Sequence, residues 1–201
     1  VKIVDKHSRL EGMNEITPQL CKFFDAAKTE IVIQNPYVVL TEPCYSTLVR
    51  ASKRGVNIIF HSNSGGSTDS LFPQAFLMTD LVRMLTDMPT CRVFVAPTEK
   101  ERLHAKTFVI DQQLTIVGTY NMDPLSEQVN SEVVAVVLNK EFGTMTRLRI
   151  KDDMKVVVEY TVKRERDGKV VADVGPDSHL DEKVIKKMNL LRKLQWLRPL
   201  I

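Results

Sequence analysis

The sequence is poor in the features that mark several common protein classes. Its three cysteines, Cys21, Cys44 and Cys91, are widely spaced and form no C-x-x-C pair, which argues against a disulfide framework and a zinc site and favours a reducing compartment. No apolar run approaches the ~20 residues of a transmembrane helix, and the first residues have no signal-peptide layout. A net charge of +3 is too small for a polycation that coats nucleic acid, so any basic surface must be local.

The chain also lacks an initiator methionine, since it begins Val1-Lys2-Ile3. We therefore expect it to be cut from a longer protein or processed. Its 201 residues suffice for one well-packed domain with an appendage and are too few for two full α/β domains.

Helix and strand patterns alternate through the first part of the chain. Apolar spacing, prolines and glycines predict helices over about 14–28, 41–55 and 70–86, with β-branched runs between and after them. This alternation is typical of a parallel sheet. Three more β runs within 104–138 have short connections, so neighbouring strands there can be antiparallel. We predict an α/β fold in which helices flank a central mixed, largely parallel β-sheet.

Residues 143–201 differ in composition, and we assign them to a C-terminal extension of a 1–142 domain. A turn at Asp167-Gly168 predicts a β-hairpin. Six basic residues and no acidic one lie between Lys183 and Ile201, around an apolar stripe at helical spacing: Val184, Met188, Leu191, Leu194 and Leu197. This basic amphipathic helix, with Trp196, has the character of an interfacial membrane anchor. Packing against the domain's own core or a partner half explains it equally well.

Residues suited to phosphate chemistry gather in Leu103–Asn121, which reads LHAKTFVIDQQLTIVGTYN. Alternation along an extended chain would place His104 and Lys106 on one face. Lysine supplies a compact positive charge, and imidazole can attack phosphorus or transfer a proton near neutral pH. Thr119 and Asn121 follow a glycine and would add neutral donors. Each residue alone also fits a solvated strand end or a turn.

The joint spacing of these residues is more specific than any one of them. One residue separates His104 from Lys106, four separate Lys106 from Asp111, six more precede Gly118, and Asn121 is three further on. This pattern resembles the HKD signature of the phospholipase D superfamily. The match to its cardiolipin synthase branch continues through Gly118, Asn121, Asp123, Ser126, Asn130 and Glu132.

The resemblance extends over residues 1–142 and implies a phospholipase D-like half-domain. It includes a Pro-Tyr pair after a strand and an Arg-Gly-Val strand that leads to a loop with an aspartate. Two positions depart from the branch's pattern. Thr119 stands where serine is commoner and keeps the hydroxyl, whereas Leu125 stands where arginine is usual and removes a charge. The second departure bears on acceptor or lipid specificity.

The resemblance implies phosphodiester cleavage or exchange through a phosphohistidine, with no metal and no cofactor. Carried over to this chain, His104 is the nucleophile or the general acid. Lys106 and Asn121 hold the non-bridging phosphate oxygens, and Thr119 assists them.

Two carboxylates complete the predicted catalytic set. An attacking imidazole needs one ring nitrogen held, and a carboxylate does this while stabilising the imidazolium. We assign that role to Glu132. Asp111 belongs to the signature, but we expect it to brace its turn and Lys106 rather than to touch substrate.

In-line displacement needs a nucleophile and an acid on opposite sides of the phosphorus, and this chain has one HKD motif. His7, His61 and His179 lack the lysine partner, and we interpret them as surface or structural residues. We therefore expect half a site that a second HKD half completes. That half is either a homologous domain before Val1, which the missing methionine favours, or a second copy across a twofold axis.

Fold does not decide the substrate. The favoured prediction is cardiolipin synthase-like phosphatidyl transfer on phospholipid, by a peripheral protein at the cytoplasmic face of a membrane. Alternatives are a phospholipase D-type hydrolase, a metal-independent nuclease and a catalytically silent scaffold half. A nuclease predicts a basic groove lined by aromatic residues. The sequence near His104 offers Lys100 and Arg102 but few aromatics, so nucleic acid is not the expected partner.

Overall fold

The computed structural model describes residues 1–6 and 15–200, with the side chain of Leu200 left out. Over these residues the strands are β1 (Lys2–Lys6), β2 (Glu30–Gln34), β3 (Asn57–Asn63), β4 (Cys91–Ala96), β5 (Thr107–Ile110), β6 (Leu114–Gly118), β7 (Glu132–Leu138), β8 (Val158–Arg164) and β9 (Val170–Val174). His7 and the predicted helix start at residue 14 lie outside the described residues.

The helices alternate with the first four strands and then become irregular in their placement. They are α1 (Ile16–Ala26), α2 (Glu42–Lys53), α3 (Leu71–Asp87), α4 (Pro124–Gln128), α5 (Lys140–Asp153) and α6 (Glu182–Leu191). Short 3₁₀ turns occur at Glu99–Glu101, Pro176–Ser178 and Gln195–Leu200.

The described strands form one sheet in the order β1-β7-β6-β5-β2-β3-β4-β8-β9. The predicted α/β fold with a mixed sheet flanked by helices is confirmed, but the prediction of a largely parallel sheet is wrong. The pairings of β3 with β2 and with β4 are parallel, and the other six are antiparallel. Parallel neighbours need a crossover, which α2 and α3 provide, whereas the short connections after β5 permit only antiparallel pairing.

The larger core lies on the face of the sheet that α1, α2 and α3 cover. Phe24 of α1, Leu48 of α2 and Leu81 of α3 are buried there against Phe60 and Phe108 of the sheet. Burying side chains of this size stabilises the fold by roughly 1.5–3 kcal/mol each. This layer therefore fixes the strands whose ends carry the site.

Helix α5 lies on the opposite face, where Ile150 packs against Val32 and Val109. The side chain of Asn139 caps the helix by accepting a hydrogen bond from the backbone N–H of Phe142 at 2.8 Å. Gly143 sits against the β5–β6 turn, since a Cβ there would lie 2.4 Å from the carbonyl oxygen of Gln112. The absence of a side chain thus lets α5 approach the sheet.

The C-terminal segment extends the sheet beyond β4. β8 pairs antiparallel with β4 and with β9, and Gly168 adopts a φ of +87° in the β8–β9 turn. Helix α6 packs on α3 and buries Met188. The other four residues of the predicted apolar stripe are half-buried: Val184, Leu191, Leu194 and Leu197.

Candidate active site

Five of the predicted site residues lie at one edge of the sheet, where β2, β3 and β6 end and β5 and β7 begin. His104 and Lys106 immediately precede β5, Thr119 and Asn121 follow β6, and Glu132 is the first residue of β7. The antiparallel pairing of β5, β6 and β7 brings the three segments side by side. We call this set of residues the site edge.

His104 and Lys106 differ sharply in exposure. Residues 102–106 are irregular and the strand begins only at Thr107, so the pair lies before β5 rather than within it. His104 is exposed, whereas Lys106 is buried and its Nζ donates to the backbone oxygen of His104 at 3.0 Å. Lys106 therefore holds the backbone of the histidine that projects into solvent.

Burial lowers the pKa of Lys106, while the carboxylates of Glu132, Asp69 and Asp123 act in the opposite direction. Burial likewise raises the pKa of Asp123, which is 5% exposed, and the Glu132 carboxylate adds to that rise. The side chain of Asp123 accepts a hydrogen bond from the backbone of Ser126 at 2.7 Å and caps α4. A buried lysine and two buried carboxylates thus share the site edge.

Glu132 is bound to Thr119 rather than to His104 in the part of the chain that the structure describes. The Thr119 hydroxyl donates to the Glu132 carboxylate and accepts from the backbone N–H of Val133 at 3.0 Å. A Cβ at Gly118 would lie 2.1 Å from the backbone oxygen of Val133. The glycine therefore permits the close approach of β6 and β7 that joins Thr119 to Glu132.

Asn121 carries an unsatisfied polar atom. Its backbone N–H donates to Ser126 Oγ at 3.2 Å, but its side-chain Oδ1 is buried and has no hydrogen-bond partner among the described residues. Buried polar atoms without a partner are rare in native structures and often mark a place for a ligand or water. The Asn121 side-chain oxygen is thus an unused acceptor for a donor on a bound group.

Sequence reasoning missed two residues close to this edge. Lys6 of β1 lies in register with Glu132, is 4% exposed, and donates through Nζ to the backbone oxygen of Asn130 at 2.6 Å. Burial lowers the pKa of Lys6, and the Glu132 carboxylate opposes this. No sequence signal marks Lys6, because its pairing with β7 joins the two ends of the domain.

Asp69 is the second residue that sequence reasoning missed, although the family resemblance includes a loop with an aspartate at this place. The Tyr37 hydroxyl donates to its carboxylate, and this bond is the main cause of the lowered pKa of Asp69. His104 and Arg102 contribute to the same lowering. A carboxylate therefore lies within electrostatic reach of His104.

Asp111 lies at the far end of β5, about 16 Å along the strand from Lys106, and so does not brace it. Its carboxylate accepts hydrogen bonds from the backbone N–H groups of Lys28, Thr29 and Glu30 at 2.8–3.0 Å and from the Thr29 hydroxyl at 2.8 Å. Asp111 itself has a φ of +52°. It ties the β5–β6 turn to the start of β2.

Neither a membrane-spanning helix nor a metal site is found among the described residues. No helix there is long and apolar enough to cross a membrane. No group of three or more His, Cys, Asp or Glu side chains is placed to hold a metal ion. The three cysteines are free, with Cys44 and Cys91 buried and Cys21 half-buried.

Sequence comparison relates the chain to enzymes of lipid synthesis. Residues 20–152 match the family model described as cardiolipin synthase, PLD-like domain. Cardiolipin synthase A of Buchnera aphidicola subsp. Acyrthosiphon pisum is 28% identical over 131 residues, which is 65% of this chain and 26% of that protein. Cardiolipin synthase of Clostridium perfringens is 28% identical over 154 residues, or 77% of this chain and 31% of that one. The chain thus spans about a quarter to a third of the length of these relatives.

Solved structures share the fold. Nuc of Salmonella typhimurium, a phospholipase D family member, superposes with a TM-score of 0.60 at 19% identity, over 79% of this chain and 99% of that one. Phosphatidylserine synthase of Haemophilus influenzae superposes with a TM-score of 0.69 at 10% identity, over 99% of this chain and 47% of that one. Together with the family match, these findings confirm the predicted relationship: the chain belongs to the phospholipase D superfamily, in the family of cardiolipin synthase PLD-like domains.

Proposed function

We propose that this chain is one catalytic half of an enzyme that transfers the phosphatidyl group of a phospholipid through a phosphohistidine. The observation that carries the proposal is the site edge itself. At this end of the sheet lie an exposed imidazole, a buried lysine, a threonine hydroxyl, an asparagine whose side-chain oxygen has no partner among the described residues, and a buried carboxylate. The family match supports phospholipid as the substrate class.

The chemistry assigned to His104 proceeds in two displacements. A ring nitrogen of His104 attacks the phosphorus and forms a P–N bond, while the bond to the first alcohol breaks and that alkoxide takes a proton from an acid on the opposite side. A second alcohol, or water, then attacks the phosphorus and gives up its proton, and the P–N bond breaks with its electron pair returning to His104. Splitting one displacement into two lowers each barrier.

Charge on the phosphate is met by the groups behind His104. Lys106 supplies a positive charge, and the Asn121 amide nitrogen is assigned to donate a neutral hydrogen bond. The Thr119 hydroxyl, which donates to Glu132 in this structure, is assigned to turn to the phosphate when substrate binds. Preorganised donors of this kind stabilise the charge that develops in the transition state. Glu132, already bound to Thr119, is assigned to orient the imidazole once the second half is in place.

A second HKD half is proposed to dock beside the site edge. On the face that α5 partly covers, Ile3 and Val117 flank Ala135 in register, and both are exposed, as is Val133. Phe142 and Met145 of α5 are also exposed. Scattered apolar residues are normal on a surface, but a contiguous patch marks an interface. Val117 and Val133 adjoin the strand ends that carry Thr119 and Glu132, so this patch continues into the site.

Membrane contact is proposed for the outer side of the C-terminal segment. The apolar stripe of α6 faces α3, which accounts for packing. Leu190 and Trp196 are instead 63% and 72% exposed, next to the exposed Lys187 and Lys193. Apolar side chains flanked by lysines suit the surface of an anionic bilayer. We accordingly propose a peripheral protein that acts at the cytoplasmic face.

The test supplies labelled phosphatidylglycerol and labelled single-stranded DNA to the full-length protein and identifies the product. We expect a phosphatidyl-transfer product with phosphatidylglycerol and intact DNA. Cleaved DNA with unchanged lipid would replace this proposal with the nuclease alternative. Restoration of cellular function by a His104→Ala variant would favour the scaffold alternative.

A further inference from the structure

A cleft of about 460 Å³ lies beside His104. Its lining includes Gln34 at the end of β2, His61 of β3, and His104 itself. β5 stands between β6 and β2 in the sheet, so this cleft flanks His104 on the side away from Thr119 and Glu132. A phosphate held at the site edge would leave the cleft for another part of a substrate.

His61 lines the cleft and is 2% exposed. The amide nitrogen of Gln34 lies 3.2 Å from its Nδ1 and 3.1 Å from Asp153 Oδ2. Because an amide nitrogen can only donate, His61 Nδ1 is the acceptor and the ring proton is on Nε2. Burial lowers the pKa of His61 to about 4, so the ring is neutral at pH 7.

The Nε2–H group of His61 is buried and has no hydrogen-bond partner among the residues that the structure describes. Leaving such a donor unpaired costs free energy, which a bound oxygen atom would recover. The amide that fixes the tautomer belongs to Gln34, which is also buried. The donor is therefore held in place rather than free to rotate towards solvent.

Charges at the rim of the cleft balance. The lining includes three cations, Lys100, Arg102 and Lys155, and three acidic residues, Glu101, Asp152 and Asp153. With no formal excess of either sign, the cleft does not select a cationic or an anionic head group. A neutral imidazole N–H in the lining favours a neutral ligand with hydroxyl oxygens.

We propose that this cleft is the subsite for the alcohol that leaves or accepts the phosphatidyl group, and that His61 selects a neutral polyol by donating to one of its hydroxyls. The proposal rests on the proposed function and adds the chemical class of the second substrate. In the second displacement, the polyol oxygen bonds to phosphorus while the P–N bond to His104 breaks. The hydroxyl proton leaves to the base on the opposite half.

The test measures how the full-length protein divides the phosphatidyl group between glycerol and ethanol when both are supplied. In the His61→Leu variant we expect the glycerol-to-ethanol ratio to fall about tenfold, the effect of one hydrogen bond. His61→Gln keeps a donor and should recover part of the ratio. His179→Leu is the matched control, because His179 is outside the cleft, and it should leave the ratio unchanged.

A second readout does not depend on catalysis. Nitrogen-15 NMR of the histidine rings, with glycerol titrated into the protein, should shift the His61 Nε2–H resonance and leave that of His179 in place. Transfer with an unchanged ratio in His61→Leu, or glycerol without effect on the His61 resonance, would overturn the subsite. Absence of transfer in all variants, with the His61 resonance still shifted, would refute the proposed function and leave the polyol site standing.

Discussion

The two ends of strand β5 carry residues of one sequence motif and use them in opposite ways. At the end where the strand begins, His104 is exposed and the neighbouring Asn121 amide has a buried oxygen without a partner in the described chain. At the other end, Asp111 accepts four hydrogen bonds from the segment that starts β2. The side-chain oxygen of Asn121 at the first end lacks a partner within the described fold, whereas the carboxylate at the other end is hydrogen-bonded on both oxygens within it.

We interpret this difference as a separation of the proposed catalytic residues from a residue that stabilises the fold. A polar group that the fold does not satisfy contributes little to stability and is available to substrate. A carboxylate that accepts several backbone hydrogen bonds stabilises the native state and has little left to offer a ligand. In the proposed function the motif therefore combines one structural residue, Asp111, with several chemical ones, and substitutions at the two ends should have different consequences.

The largest effect should come from removing the proposed nucleophile. We expect His104→Ala to lower phosphatidyl transfer by at least about 10³-fold, because the covalent step is lost. The free energy of unfolding should change by less than about 0.5 kcal/mol, since the side chain is exposed. Product formation and urea denaturation of the same preparation measure both. A large loss of stability would remove the distinction between the two ends.

A pH series should show how the burial of His61, near the site edge, lowers the free energy of unfolding in acid. Burial moves its pKa from 6.5 to about 4, opposed by Asp153. Unfolded His61 therefore binds a proton below pH 6.5 while the folded ring does not, and stability falls as the pH drops from 6.5 to 4. The loss reaches ~3 kcal/mol. Urea denaturation across this range should give a shallower pH dependence for His61→Leu, and equal slopes would contradict the burial argument.

Asp111→Asn should destabilise the protein by ~2 kcal/mol and leave the activity of the folded fraction unchanged. Asparagine tolerates a positive φ, but its amide is neutral and has one acceptor oxygen. The hydrogen bonds from Thr29 and Glu30 to that oxygen become weaker, and the bond from the Lys28 N–H to the second oxygen is lost. The hydrogen bonds keep the pKa of Asp111 below its ordinary 3.8 even though burial acts to raise it.

The direction of this pKa shift gives a control for the comparison of wild type with Asp111→Asn. Because the pKa is lowered in the folded state, the contribution of the carboxylate is present above pH 3.8 and disappears as the pH falls through the folded value. The gap between wild type and variant in denaturation experiments should therefore narrow in acid. A loss of kcat without a loss of stability would instead place Asp111 with the chemical residues.

The smallest effect concerns the two sides of the C-terminal segment. Trp196→Ala should weaken binding to anionic vesicles about tenfold and leave the unfolding transition in place, because the indole is exposed. Met188→Ala, on the buried side, should lower stability by ~2 kcal/mol or more. Vesicle sedimentation and thermal denaturation separate the two. Unaltered vesicle binding by the Trp196 variant would leave this segment with a packing role alone.

The sequence by itself determined the α/β class, because hydrophobic periodicity is local. It also located the motif: Lys106, Thr119, Asn121 and Glu132 could be named from their spacing together with the family resemblance, without knowledge of any contact. The sequence did not predict α5, because its many charged residues give little amphipathic pattern. This helix is instead stabilised by a capping asparagine and by the close fit of Gly143 on the turn at Gln112.

Only the tertiary structure decided which residues meet. The direction of the strands, the pairing of Lys6 with Glu132 and the approach of His61 to the cleft beside His104 depend on contacts between segments far apart in the chain. Separation of Asp111 from the site edge is likewise a matter of strand geometry, since five extended residues span about 16 Å. Spacing along a chain identifies candidate groups, whereas the pairing of strands determines which of them can act on one phosphate.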